Sequence, residues 1–125
     1  MPHIVLEYSS NLPELAGFHA LFEDIHQALN RIGGIRLENC KSRARVADHY
    51  YIGDGNPANA FVHLDVEFVR GRSAEIKKAI GQECLELVKR YYHLQLSDLL
   101  QITVKIDDIA LDFYFKDPAG TLNYQ

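Results

Sequence analysis

The sequence predicts an α/β (α+β) fold: a two-layer βαβ-βαβ pseudo-repeat with a four-stranded mixed sheet and both helices on one face. Three observations predict it. Short alternating segments suited to strands recur along the chain. Two longer segments carry apolar residues at spacings of three and four, the signature of a helix with one buried face. The order strand–helix–strand occurs twice, with a linker between and little residue identity between the halves.

The first strand is His3 to Tyr8, which ends at the turn-forming run Ser9-Ser10-Asn11. Pro13 suits the first turn of a helix, and Leu15, Phe18, Phe22, Ile25, Leu29 and Ile32 form its apolar stripe, closed by Gly33-Gly34. A second extended region runs from Ile35 to about Ile52, with Val46 and Tyr50-Tyr51-Ile52 as strand-forming residues. Asp54-Gly55-Asn56-Pro57 marks a turn, and its lone G-x-G leads from strand to strand, so it is no dinucleotide loop. Ala60 to Val69 is the clearest strand, with Val62, Leu64, Val66 and Phe68 on one side and Phe61, His63, Asp65 and Glu67 on the other. Ser73 is a suitable N-cap for a second helix with the stripe Ile76, Ile80, Cys84, Leu87 and Tyr91. The last sheet strand is Gln101 to Ile106, and Leu111 to Phe115 suits a short edge strand.

With 125 residues the chain predicts one domain, 1–125, able to bury a core. A net charge of −4 and pI of about 5.8 argue against a general nucleic-acid binder but leave room for a small basic pocket. No apolar run approaches a membrane span, and the start has no signal-peptide pattern. Cys40 and Cys84 lack metal or redox spacing and read as the reduced thiols of a cytoplasmic protein.

The sheet face away from the helices carries Arg43, Arg45, His63, Asp65, Glu67, Thr103 and Lys105. Two readings fit it: a face washed by water, or a polar subunit interface whose charges pair between chains. Pro2 is the chemically distinctive residue. Removal of Met1 turns its amide nitrogen into a free secondary amine at the mouth of a strand, a base or nucleophile that needs no cofactor.

Two fold groups accommodate the element order, the ferredoxin-like plait and the tautomerase fold. Met1-Pro2-His3 followed by Ile-Val, Ser42-Arg43 with Val46, Asp54-Gly55, Ala60-Phe61-Val62-His63, and Gly71-Arg72-Ser73 occur in one order. With these pieces the chain resembles the 5-carboxymethyl-2-hydroxymuconate isomerases of the tautomerase superfamily over nearly its whole length. The resemblance implies a tautomerase-like homotrimer with sheets facing a central axis, which favours the interface reading of the polar face. It also implies a metal-free, cofactor-free isomerase acting on small unsaturated di- or tricarboxylates from aromatic-compound breakdown. The family's second strand typically reads Arg-Ser-Arg, where this chain has Lys41-Ser42-Arg43. Lysine supplies charge without the planar fork, which implies looser binding or a related substrate.

Within that resemblance Pro2 is the general base and then the general acid. Arg72 is the first choice to stabilise the dienolate charge, at a helix start that itself favours anions. Lys41 and Arg43 are substrate-binding candidates. Arg45 and Arg70 read as structural, and His63 as a sheet-face histidine. His19 and His26 stand two turns apart, about 10 Å, too far to share a metal ion. Phe61, Tyr50, Tyr51 and Phe113 are candidate pocket walls. The competing readings are a non-catalytic ligand-binding plait and a tautomerase relative with altered activity.

Overall fold

The computed structural model describes residues 1–14 and 17–119. Strand β1 (His3–Ser9) leads through helix α1 (His19–Gly33) and a 3-10 turn (Leu37–Asn39) to β2 (Lys41–Ala47); β3 (Ala60–Val69) leads through α2 (Ala74–Tyr91) to β4 (Leu100–Ile109), and a second 3-10 turn (Leu111–Phe113) follows. The sheet order is β2-β1-β3-β4. Each strand–helix–strand half forms a parallel pair, β1 with β2 and β3 with β4, and the halves join antiparallel through β1 and β3. A helical crossover is what a parallel pair requires, so the doubled pattern dictates this topology.

Alternation sets the two faces. Ile4 and Leu6 on β1 and Val62, Leu64, Val66 and Phe68 on β3 are fully buried beneath Leu21, Ile25 and Leu29 of α1 and Ile80, Cys84 and Val88 of α2. Ile102, Val104 and Ile106 of β4 pack partly buried against that core. The odd-numbered residues form rows across the open face: Lys41–His3–Glu67–Asp107, Arg43–Val5–Asp65–Lys105 and Arg45–Glu7–His63–Thr103. His63 is used within this sheet, with Nδ1 2.6 Å from Thr103 Oγ1.

Three sequence expectations are corrected. Helix α1 starts at His19, not at Pro13, and Leu15 lies outside the described residues. Gly17 (φ 70°) and Phe18 (φ 55°) are both left-handed, which breaks a helix. Phe18 accepts this because its ring is buried against Tyr8, Phe22 and Tyr91, and its N–H donates to Tyr91 Oη at 3.1 Å. Second, the strand of the second region stops at Ala47, so Tyr50-Tyr51-Ile52 are loop residues. β2 has β1 as its sheet neighbour, and β1 turns away after Ser10 N–H bonds Ala47 O. Third, Leu111–Phe113 is a 3-10 turn, not an edge strand. β4 loses its partner where β3 ends, at the Arg70 N–H to Ile109 O bond.

Candidate active site

The topology brings six chain segments to one end of the sheet. The starts of β1 and β2, the ends of β3 and β4, the last turn of α1 and the first turn of α2 all lie there. Pro2, Lys41 and Arg72 therefore converge although they are distant in sequence.

Pro2 is buried, and its carbonyl accepts the Lys41 backbone N–H at 3.1 Å. Met1 is also fully buried. The terminal amine donates to Asn39 O at 2.7 Å, and Lys41 Nζ donates to the same oxygen at 2.5 Å. Two N–H donors thus meet on one carbonyl. Burial, the Lys41 ammonium and then Lys116 push the amine from 8.0 down to about 5, against a small opposing effect of Cys40. This corner of the fold disfavours a protonated amine.

Arg72 follows Gly71, whose φ of 128° suits glycine, and precedes Ser73, whose hydroxyl accepts the Ile76 N–H at 3.2 Å and caps α2. The guanidinium is partly buried, with Nε 2.9 Å from Gly33 O, a terminal nitrogen 3.4 Å from Val69 O, and its carbon 5.4 Å from the Phe68 ring centroid. One step beyond the His3–Glu67 pairing, Pro2 is level with Phe68. Arg72 thus covers the helix-side residue alongside Pro2, with two of its five N–H groups spent on backbone carbonyls.

Arg43 lies on the other face. Its guanidinium is exposed and donates to His3 Nδ1 at 3.2 Å. His3 Nε2 lies 2.8 Å from Tyr114 Oη, and the two rings meet edge-on with centroids 6.0 Å apart. Burial, then Lys41, Arg43 and the terminal amine, push the His3 imidazole below its ordinary value. The tail after β4 thereby crosses the sheet end and is pinned to β1.

Asn39 O, Tyr114 and Lys116 were not singled out from sequence. A backbone carbonyl has no residue signature, and the tail aromatics suit a strand equally well. Of the expected pocket walls, Phe113 and Tyr51 are 87% and 80% exposed. Tyr50 and Tyr51 line a separate cleft of about 440 Å³ with Asp48 and Pro57. A groove of about 650 Å³ between α2 and β4, lined by Lys77, Leu85 and Ile102, holds none of the four candidate residues. Burial pushes the Cys40 and Cys84 thiols up to about 11 and about 12, which suits neither to thiolate chemistry. No group of three or more His, Cys, Asp or Glu residues able to hold a metal ion occurs among the described residues.

The family model described as 5-carboxymethyl-2-hydroxymuconate isomerase matches residues 2–119. The chain belongs to that family. It is 31% identical over 117 residues to the 5-carboxymethyl-2-hydroxymuconate Delta-isomerase of Escherichia coli, covering 93% of each chain. A crystal structure of a 5-carboxymethyl-2-hydroxymuconate isomerase from Deinococcus radiodurans R1 superposes with a TM-score of 0.82 at 27% identity, covering 92% of this chain and 87% of that one. A macrophage migration inhibitory factor-like protein from Entamoeba histolytica shares the fold alone, with a TM-score of 0.69 at 11% identity over 93% and 95% of the two chains. The family is one of isomerases, and membership disfavours the non-catalytic plait.

Proposed function

We propose that this isomerase, once Met1 is removed, moves a proton and its double bond within an unsaturated 2-hydroxymuconate-type di- or tricarboxylate, with Pro2 as the base. The observation that carries the reading is the state of the terminal amine: buried beside Lys41 and pushed down to about 5, one residue before Pro2. The same surroundings keep a proline amine unprotonated near neutrality, ready to accept a proton. The imino nitrogen takes the proton of the substrate's 2-hydroxyl, leaving a dienolate whose charge is shared by that oxygen and the conjugated carbons. The oxygen's pair then forms the carbonyl, the double bond shifts, and the N–H delivers the proton to a carbon of the conjugated system. Nothing is oxidised or reduced in these steps, so they need no redox cofactor.

Arg72 is assigned the developing dienolate charge through its uncommitted N–H groups, and Lys41 and Arg43 the substrate carboxylates. The lysine at position 41 sets a looser, point-charge grip on its carboxylate and so a substrate preference shifted from relatives that carry arginine.

The working assembly is a homotrimer. Lys105 Nζ–Asp107 Oδ2, 3.3 Å, is the one ion pair on the open face among the described residues, so Arg45, Glu7 and Glu67 are available to pair between subunits. A solved relative in fold, at 16% identity, is described as a symmetric trimer.

The test is turnover of a synthetic 2-hydroxymuconate by the Met-free protein and by Pro2→Ala. Loss of turnover in the variant is expected; full activity in it would remove proline as the base.

A further inference from the structure

Arg43, His3 and Tyr114 form a continuous hydrogen-bonded chain on the open face, starting at the residue after Pro2. Its proton positions follow from valence. Arginine donates only, so His3 Nδ1 must be the acceptor in the 3.2 Å contact. An imidazole accepting at Nδ1 carries its proton on Nε2, so Nε2–H donates to Tyr114 Oη across 2.8 Å. The phenol oxygen is then an acceptor, and its own O–H proton has no other partner among the described residues. Arg43 likewise enters no ion pair there, which leaves most of its N–H groups free. Glu67, level with His3 on β3, Lys41, level with it on β2, and the terminal amine are further charged groups that act on this chain.

Two free donors, a phenol and a guanidinium, are thus fixed around one neutral histidine. A carboxylate is the complement of that pair, since it accepts from both and has nothing to donate. The tail that carries Tyr114 also carries Lys116, one of the cations that hold the terminal amine down.

We propose that Tyr114 is a further substrate-binding residue that donates its hydroxyl proton, beside Arg43, to the second carboxylate of a dicarboxylate substrate, and that His3 is the positioning residue that holds both. The proposal rests on the proline-base reading for what is turned over, but it concerns binding and is tested by binding.

The test uses two probes with the same conjugated six-carbon chain: muconate, with a carboxylate at each end, and sorbate, with one. Calorimetric titration of the Met-free protein is expected to show tighter binding of muconate. Tyr114→Phe should weaken muconate about 10-fold, the loss of one hydrogen bond to a charged group, and leave sorbate unchanged. His3→Ala should follow it, with His3→Gln, whose amide N–H can replace Nε2–H, recovering part of the loss. Nitrogen NMR should show His3 protonated at Nε2 in the unaltered protein and a tautomer mixture in Arg43→Met, which removes the donor to Nδ1. Equal muconate affinity in Tyr114→Phe, equal weakening of both probes, or no binding of muconate by the unaltered protein each overturns the proposal. Pro2→Ala separates the two ideas. Retained turnover in that variant sinks the proline base, whereas the muconate–sorbate difference decides Tyr114 in either event.

Discussion

Arg72 Nε donates to the Gly33 carbonyl at 2.9 Å, so the turn that opens α2 also closes the last turn of α1. A cation at a helix C-terminus satisfies an orphan carbonyl and opposes the helix dipole. The residue proposed to stabilise the dienolate is therefore also a bolt between the two halves of the fold. Arg72→Ala should lower the unfolding free energy by about 1.5–3 kcal/mol, the range for hydrogen bonds to a charged group. It should also cut kcat/KM by about 100-fold or more at temperatures where the variant stays folded. Chemical denaturation alongside steady-state kinetics separates the two, and an activity loss that tracks unfolded fraction alone would leave Arg72 a purely structural part.

Gly71 holds φ 128° with nothing within 4 Å of where a Cβ would stand. Gly71→Ala therefore tests backbone strain without a clash. A cost of about 1–3 kcal/mol is expected from denaturant titration, together with a higher KM because the turn that carries Arg72 shifts.

The pH profile follows from the amine. An amine whose folded value is depressed favours folding most above its ordinary 8.0, and that contribution is lost as pH falls to about 5. The Met1-bearing protein should therefore melt at progressively lower temperature from pH 8 down to pH 5. In the Met-free protein the acidic limb of kcat/KM should lie below the ordinary α-amino value. Lys41→Met removes the nearest cation and should move that limb upward; a limb that stays put would show that burial alone sets the amine. His3 has the same sign, its neutral form favoured above the ordinary 6.5 and its contribution lost as pH falls through the lowered folded value.

Lys41→Arg tests the grip of the second strand. A planar fork in place of a point charge should lower KM for dicarboxylates several-fold with kcat little changed. An unchanged KM would mean that position 41 tunes the amine and does not touch substrate.

The trimer predicts a solution mass three times 14.2 kDa. Arg45→Glu places an acid in the row of Glu7 on the open face and should shift the mass toward the monomer, more strongly at low salt. A native mass of 14.2 kDa in the unaltered protein would remove the trimer.

β3 was legible to the residue because period-two alternation over Ala60–Val69 is long and strict. The stripe of α2 and the Ser73 cap were legible for the same reason: each is a local pattern with a local cause. The start of α1 was not, because Phe18 takes its left-handed backbone from contacts with Tyr8 and Tyr91, far away in sequence. Strand ends followed from where partners stop, which no single segment records. At the candidate site Pro2, Lys41 and Arg72 were reached through the family resemblance, Pro2 also through its place behind Met1 and Arg72 through its place at a helix start. The Tyr114–His3 clasp joins residues 111 positions apart, and only the sheet order brings them together.

Met1 sits wholly out of solvent, with its nitrogen tied to Asn39. A leftover initiator here is a well-seated plug. With Pro2 as the proposed base, specific activity of a preparation would report the efficiency of the host's aminopeptidase as much as the quality of the catalyst, and two laboratories with different expression strains should disagree until each weighs its product by intact mass.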